Sequence, residues 1–71
     1  MSETLQFHRR LYTATAVHAA IEAYAELARI RLERADAYFV VSFDAIEDEV
    51  RDVLLGEFAN YALAETIEAR R

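Results

Sequence analysis

Histidine, arginine and clustered carboxylates are the side chains of this chain that could carry chemistry. His18 and Glu22 stand four residues apart, a spacing that brings two side chains to one face of a helix. Two ligands begin a metal site, but zinc generally takes three or four, and His8 sits on a different element. A surface hydrogen bond or ion pair is the plainer reading. Arg29, Arg31 and Arg34, together with Arg9 and Arg10, are a second candidate, because guanidinium forks grip a carboxylate or phosphate at two points. A solvated strand face balanced by Glu33 accounts for the same residues. Glu47, Asp48, Glu49 and Asp52 form an acidic cluster. Paired carboxylates do acid–base work when one is desolvated. Consecutive outward positions at a helix start instead suit the positive end of the macrodipole. Ser2 and Ser42 lack a G-x-S-x-G elbow, and no phosphate loop, haem motif or paired-histidine metal helix is present. No catalytic residue, cofactor-binding residue or metal ligand is assigned, and no cofactor is expected.

Composition narrows the possibilities further. Seventy-one residues make one domain, 1–71, which buries roughly 60% of its unfolded surface and so has a marginal core. Such domains are often reinforced by disulfides, a metal or self-association. The chain has no cysteine, which removes disulfides, thiolate zinc sites and thiol catalysis. A homodimer is therefore expected. Net charge is −5, and a chain of that sign repels a phosphate backbone, so nucleic acid is not an expected partner. No apolar run has the length of a membrane span, and the start lacks the layout of a secretory signal. A cytoplasmic protein is expected.

The elements that must position these residues are legible from hydrophobic period. Leu5, Phe7 and Leu11 alternate with polar residues and predict a half-buried strand over roughly 4–11, with Arg9 breaking the inward series as an edge strand tolerates. From Thr13, Val17, Ala20, Ile21, Tyr24, Leu27 and Ala28 follow helical spacing, with Thr13 or Thr15 as cap. Ala28, Ile30 and Leu32 alternate with Arg29, Arg31 and Glu33 in a second strand, and 34–37 form a turn. Residues 38–43 are apolar on nearly both sides, as in a strand flanked by neighbours. Asp44 caps the last helix or begins a short loop into it. That helix carries a main stripe of Ile46, Val50, Val53, Leu54, Phe58 and Tyr61 and runs to about Ala69.

These elements predict an α+β fold, a β-α-β-β-α two-layer sandwich with strand order 1-3-2 and both helices on one face of the three-stranded sheet. The first strand is then a free edge, a natural site for an added strand. The last helix has a second apolar set, Leu55, Ala59, Ala62 and Leu63, which is expected to meet a second chain. Gly56 costs about 1 kcal/mol relative to Ala in mid-helix, which points to a close backbone approach or a bend, with drift as the competing explanation.

Several runs resemble the HxsD family, the small component of the His-Xaa-Ser peptide-maturation system. They are Leu11-Tyr12 before the helix bearing Ala16 and Ala20, then Ile30-Arg31-Leu32 with Phe39-Val40-Val41, and Leu55-Gly56-Glu57-Phe58-Ala59-Asn60, which is similar to that family's Gly-Glu-Phe-x-Asn stretch. After Asn60 the chain departs from the acidic continuation usual there, with Tyr61-Ala62-Leu63-Ala64 in its place. The resemblance implies an accessory part encoded beside a pair of radical S-adenosylmethionine enzymes and a short repeat peptide. Small domains in comparable systems take a leader peptide by strand addition.

The expected function is accordingly a non-catalytic module that recognises a peptide substrate or a radical-SAM partner enzyme. Leu55, Gly56, Glu57, Ala59, Asn60 and Leu63 are its candidate interaction residues. A small acidic, antitoxin-like regulator, or a subunit whose catalytic site forms between chains, are the alternatives.

Overall fold

The computed structural model describes residues 2–70. In chain order the elements are strand β1 (Glu3–His8), helix α1 (Ala14–Ala23), strands β2 (Arg29–Ala35) and β3 (Tyr38–Asp44), a single 3-10 turn (Asp48–Val50) and helix α2 (Arg51–Ala69). The sheet order is β1-β3-β2, and β3 pairs antiparallel with both neighbours. This is the expected α+β arrangement.

The period of two along β3 decides what faces the helices. Phe39, Val41 and Phe43 are buried, and the register sets them beside Phe7 and Leu5 of β1 and beside Leu32 and Ile30 of β2. Val17 and Ala20 of α1 and Leu54, Phe58 and Ala62 of α2 complete the core on that face. Phe58 is its hub, with its ring edge-on to Phe43 at 4.9 Å and tilted against Phe7 at 5.9 Å. Each such aromatic pair adds about 0.5–1.5 kcal/mol beyond the area it buries. Thr4, Gln6, Arg31 and Glu33 point to the opposite face and are exposed.

The first strand ends earlier than its pattern suggests. It stops at His8, whose carbonyl accepts from the N–H groups of both Leu11 and Tyr12, so residues 9–12 turn away. Leu11 is exposed, while Tyr12 packs edge-on to Phe7 at 4.9 Å. Helix α1 is capped by Thr13, whose hydroxyl accepts from the Ala16 N–H at 3.1 Å. It ends at Ala23 rather than Ala28, because the chain needs residues 24–28 to reverse into β2. Leu27 is consequently exposed, and Ala28 is buried at the entrance to β2. The hairpin is tighter than expected. Ala35 pairs with Tyr38, leaving Asp36 and Ala37 as the turn, and Asp36 takes φ 44°, which Asp tolerates better than most residues.

The largest departure is at the start of α2. Asp44 caps nothing; it is the last residue of β3 and its carboxylate accepts from the Ser2 hydroxyl at 2.8 Å. Ala45 takes φ 61°, and Ile46 is buried from the loop, out of phase with the helix that follows. The stripe expected through Ile46, Val50 and Val53 therefore fails. Val50 is partly exposed and Val53 is 65% exposed. The buried row is Leu54, Phe58, Ala62 and Thr66, in steps of four. Ala62, with Leu55 and Ala59 packed beside it, belongs to the core side, so of the supposed second apolar set Leu63 alone points away.

Candidate functional site

Besides the outward face of the sheet, the free sheet edges and the outer side of α2 stay open once the core is closed, and each comes from the topology. With order β1-β3-β2, both β1 and β2 pair on one side only. Backbone N–H and C=O groups along an unpaired edge are templates for another strand. Arg29, Arg31, Glu33 and Arg34 crowd β2 with charge, which blunts an edge. β1 reads Glu-Thr-Leu-Gln-Phe-His and carries one acid, with Leu5 half-buried and Phe7 buried toward the helices. Arg51 and Glu3 meet at 3.4 Å and fasten the start of β1 to the start of α2.

The second surface is the outer side of α2. Gly56, Glu57, Asn60 and Leu63 are exposed there, whereas Leu55 and Ala59 are half-buried against the core. The candidate interaction residues thus divide into four that are available and two that hold the helix in place. A Cβ built on Gly56 meets nothing within 4 Å, so no neighbouring backbone within the chain requires that glycine. α2 runs unbroken from Arg51 to Ala69 through it. The carbonyl of Glu57 lies 3.5 Å from the Tyr24 hydroxyl, and Tyr24 stacks edge-on with Tyr61 at 5.8 Å.

The other candidates do not converge. His18 and Glu22 are both exposed on α1. His8 packs against Tyr38 at 5.1 Å, and its Nδ1 accepts from the Arg10 N–H at 3.1 Å. Among the described residues no three His, Asp or Glu side chains gather as metal ligands would. The arginine set is divided by the sheet. Arg29 and Arg31 lie on the outer face, while Arg9 and Arg34 stand over the Phe39 ring at 5.8 and 5.9 Å. Arg9 also donates to the Asp36 carbonyl at 2.9 Å. The depression beside it, about 340 Å³ and lined by His8, Arg9, Arg10, Asp36 and Ala37, is open to solvent. Glu47, Asp48, Glu49 and Asp52 are all exposed around the 3-10 turn and the first turn of α2; the N-cap residues Glu47 and Val50 make no side-chain cap hydrogen bond, so the capping expected of this cluster is not made and only its charge suits the positive helix end.

One structural residue escaped the sequence reading. Thr66 is 2% exposed, and its Oγ1 accepts from the Thr13 N–H at 3.3 Å. It ties the end of α2 to the start of α1, and its spacing of four from Ala62 was the available signal. No described helix is long and apolar enough to cross a membrane. Set against family models, curated proteins and solved structures, the chain finds no significant match.

Proposed function

We propose that this chain is a non-catalytic recognition module that takes an extended peptide along the free edge of β1. Its setting would be the one its resemblance to the HxsD family suggests, maturation of a ribosomal peptide by radical-SAM partner enzymes in the cytoplasm. The observation that carries the reading is the unpaired, weakly charged edge of β1 in a three-stranded sheet. Strand addition draws affinity from main-chain hydrogen bonds and specificity from alternate side chains. Leu5 and Phe7 on one side of β1, and Thr4, Gln6 and His8 on the other, favour a peptide that alternates apolar and polar residues.

The test is fluorescence anisotropy with a labelled repeat-bearing precursor peptide, measured across a salt series. Binding through main-chain hydrogen bonds persists at high salt. If affinity is lost as salt rises, charge is the attractive force, because the Debye length falls to about 3 Å at 1 M. That outcome rejects strand addition in favour of an acidic regulator that attracts a basic partner.

A further inference from the structure

The open edge of β1 is closed at one end, and that asymmetry has a direction. The Arg9 N–H donates to the Ala37 carbonyl at 2.8 Å, on the β3 side. Main-chain groups along a strand face alternate neighbours, so those of Glu3, Leu5 and Phe7 turn toward β3 as Arg9 does. Thr4, Gln6 and His8 present theirs to the open edge. The His8 carbonyl is already used. It accepts from the N–H groups of Leu11 and Tyr12, each at 3.0 Å, which takes up both of its lone pairs. Residues 10–12 therefore lie across the end of the edge. Five groups stay available there, the N–H and C=O of Thr4 and of Gln6 and the N–H of His8.

The two ways of adding a strand use these groups differently. In an antiparallel pair, each edge residue faces one peptide residue that both donates and accepts. The peptide residue opposite His8 would aim its N–H at a carbonyl with no capacity left. In a parallel pair the bonds are staggered. Peptide carbonyls accept from the N–H groups of Thr4, Gln6 and His8, and peptide N–H groups donate to the carbonyls of Thr4 and Gln6. Five peptide residues use all five groups. No peptide N–H meets the blocked carbonyl if the peptide chain stops there.

Charge falls the same way. Arg10 is exposed on the closing turn, and the Arg70 guanidinium donates to the Arg10 carbonyl at 2.9 Å. Among the described residues neither arginine forms an ion pair with a carboxylate. Glu65 and Glu68 precede Arg70 on α2, so this end offers close-range donors rather than a strong long-range field. At the opposite end stand Glu3 and Asp44, and the Arg51 found there is engaged by Glu3 and Asp52. A carboxylate gains charge-assisted hydrogen bonds beside Arg10 and meets like charge beside Glu3.

We propose that the β1 edge takes the last five residues of a peptide chain, parallel to β1, with the free α-carboxylate on the His8 N–H beside Arg10 and Arg70. The ligand is a peptide C-terminus, not an internal segment. This inference rests on the reading of β1 as a strand-accepting edge and adds the direction and the end of the added strand.

Fluorescence anisotropy tests it with the carboxy-terminal segment of the precursor peptide, labelled at its amino end. The segment is made as a free acid, as an amide and with a glycine–serine extension. The free acid should bind at least tenfold more tightly than either other form. Arg10→Glu should bring the free acid to the affinity of the amide and leave the amide unchanged. The fold should stay intact by far-UV circular dichroism, because Arg10 is exposed and its hydrogen bonds come from its backbone. A nitroxide at the amino end of the peptide should broaden the Thr4 amide resonance more than that of His8. Equal binding of the three forms, equal weakening of acid and amide by Arg10→Glu, stronger broadening at His8, or binding by the full precursor but not by its terminal segment would each overturn the inference and leave strand addition at β1 standing. Failure of the full precursor and of every segment to bind would reject the reading of the edge itself, and the inference with it.

Discussion

Replacing Thr66 with valine tests the joint between the two helices. The substitution keeps the shape of the side chain and removes Oγ1, which accepts the Thr13 N–H at 3.3 Å from a position 2% exposed. Leaving a buried donor without its acceptor costs about 1–3 kcal/mol. The bond is longer than the usual 2.7–3.2 Å, and its donor is only partly buried, so the lower end applies. Valine also avoids burying a hydroxyl, which offsets part of the loss. The expected change is a destabilisation of about 1 kcal/mol. At about 2.1 cal/mol/K of unfolding entropy per residue, that lowers Tm by about 7 °C in a chain of this length. Urea denaturation gives the free energy, and amide hydrogen exchange at Thr13 localises it. Thr66→Ser keeps the acceptor and should keep Thr13 protected, while Thr66→Val should lose that protection. A valine variant as stable as the parent, with Thr13 exchange unchanged, would refute the reasoning.

Three further substitutions probe the packing. Phe58→Ala removes the side chain that Phe43 and Phe7 rest on; it should cost about 3–5 kcal/mol and leave the chain largely unfolded by circular dichroism at 25 °C. Gly56→Ala places a methyl in open space on an exposed helix, so the monomer should gain about 1 kcal/mol in urea denaturation; a loss would mean that something approaches Gly56 closely. Ala45→Gly relieves a left-handed backbone at φ 61°, whose strain of about 1–2 kcal/mol outweighs the added chain entropy, and should raise Tm by a few degrees in a thermal melt.

The fold was largely legible because its signals are local and consistent. Alternation marks β1 and β2, alanine density marks α1, and an apolar run on nearly both sides identifies β3 as the central strand. What misled was phase. Ile46, Val50 and Val53 lie at helical spacing, so they read as the start of one stripe. The extended Glu47 (φ −74°, ψ 137°) and the 3-10 turn at Asp48–Val50 stand between Ile46 and α2 and break that helical phase. Once that break is known, the buried row moves to Leu54, Phe58, Ala62 and Thr66. The same error puts Leu55, Ala59 and Ala62 on the outer side of α2, where Val53, Asn60 and Ile67 lie exposed. Thr66 was missed for a different reason. A threonine near a helix end carries no sign that its hydroxyl serves a backbone donor on another element. At the candidate site, the free edge of β1 follows from strand order, whereas the chemistry of whatever pairs with it is written in no local pattern.

Backbone amide exchange, followed by NMR with and without the repeat-bearing precursor peptide, bears most directly on the proposal that β1 accepts an added strand. New protection concentrated between Glu3 and His8, with β2 and the outer side of α2 unchanged, is the predicted outcome. Protection that appears instead along Arg29–Ala35, or on neither edge, would contradict it.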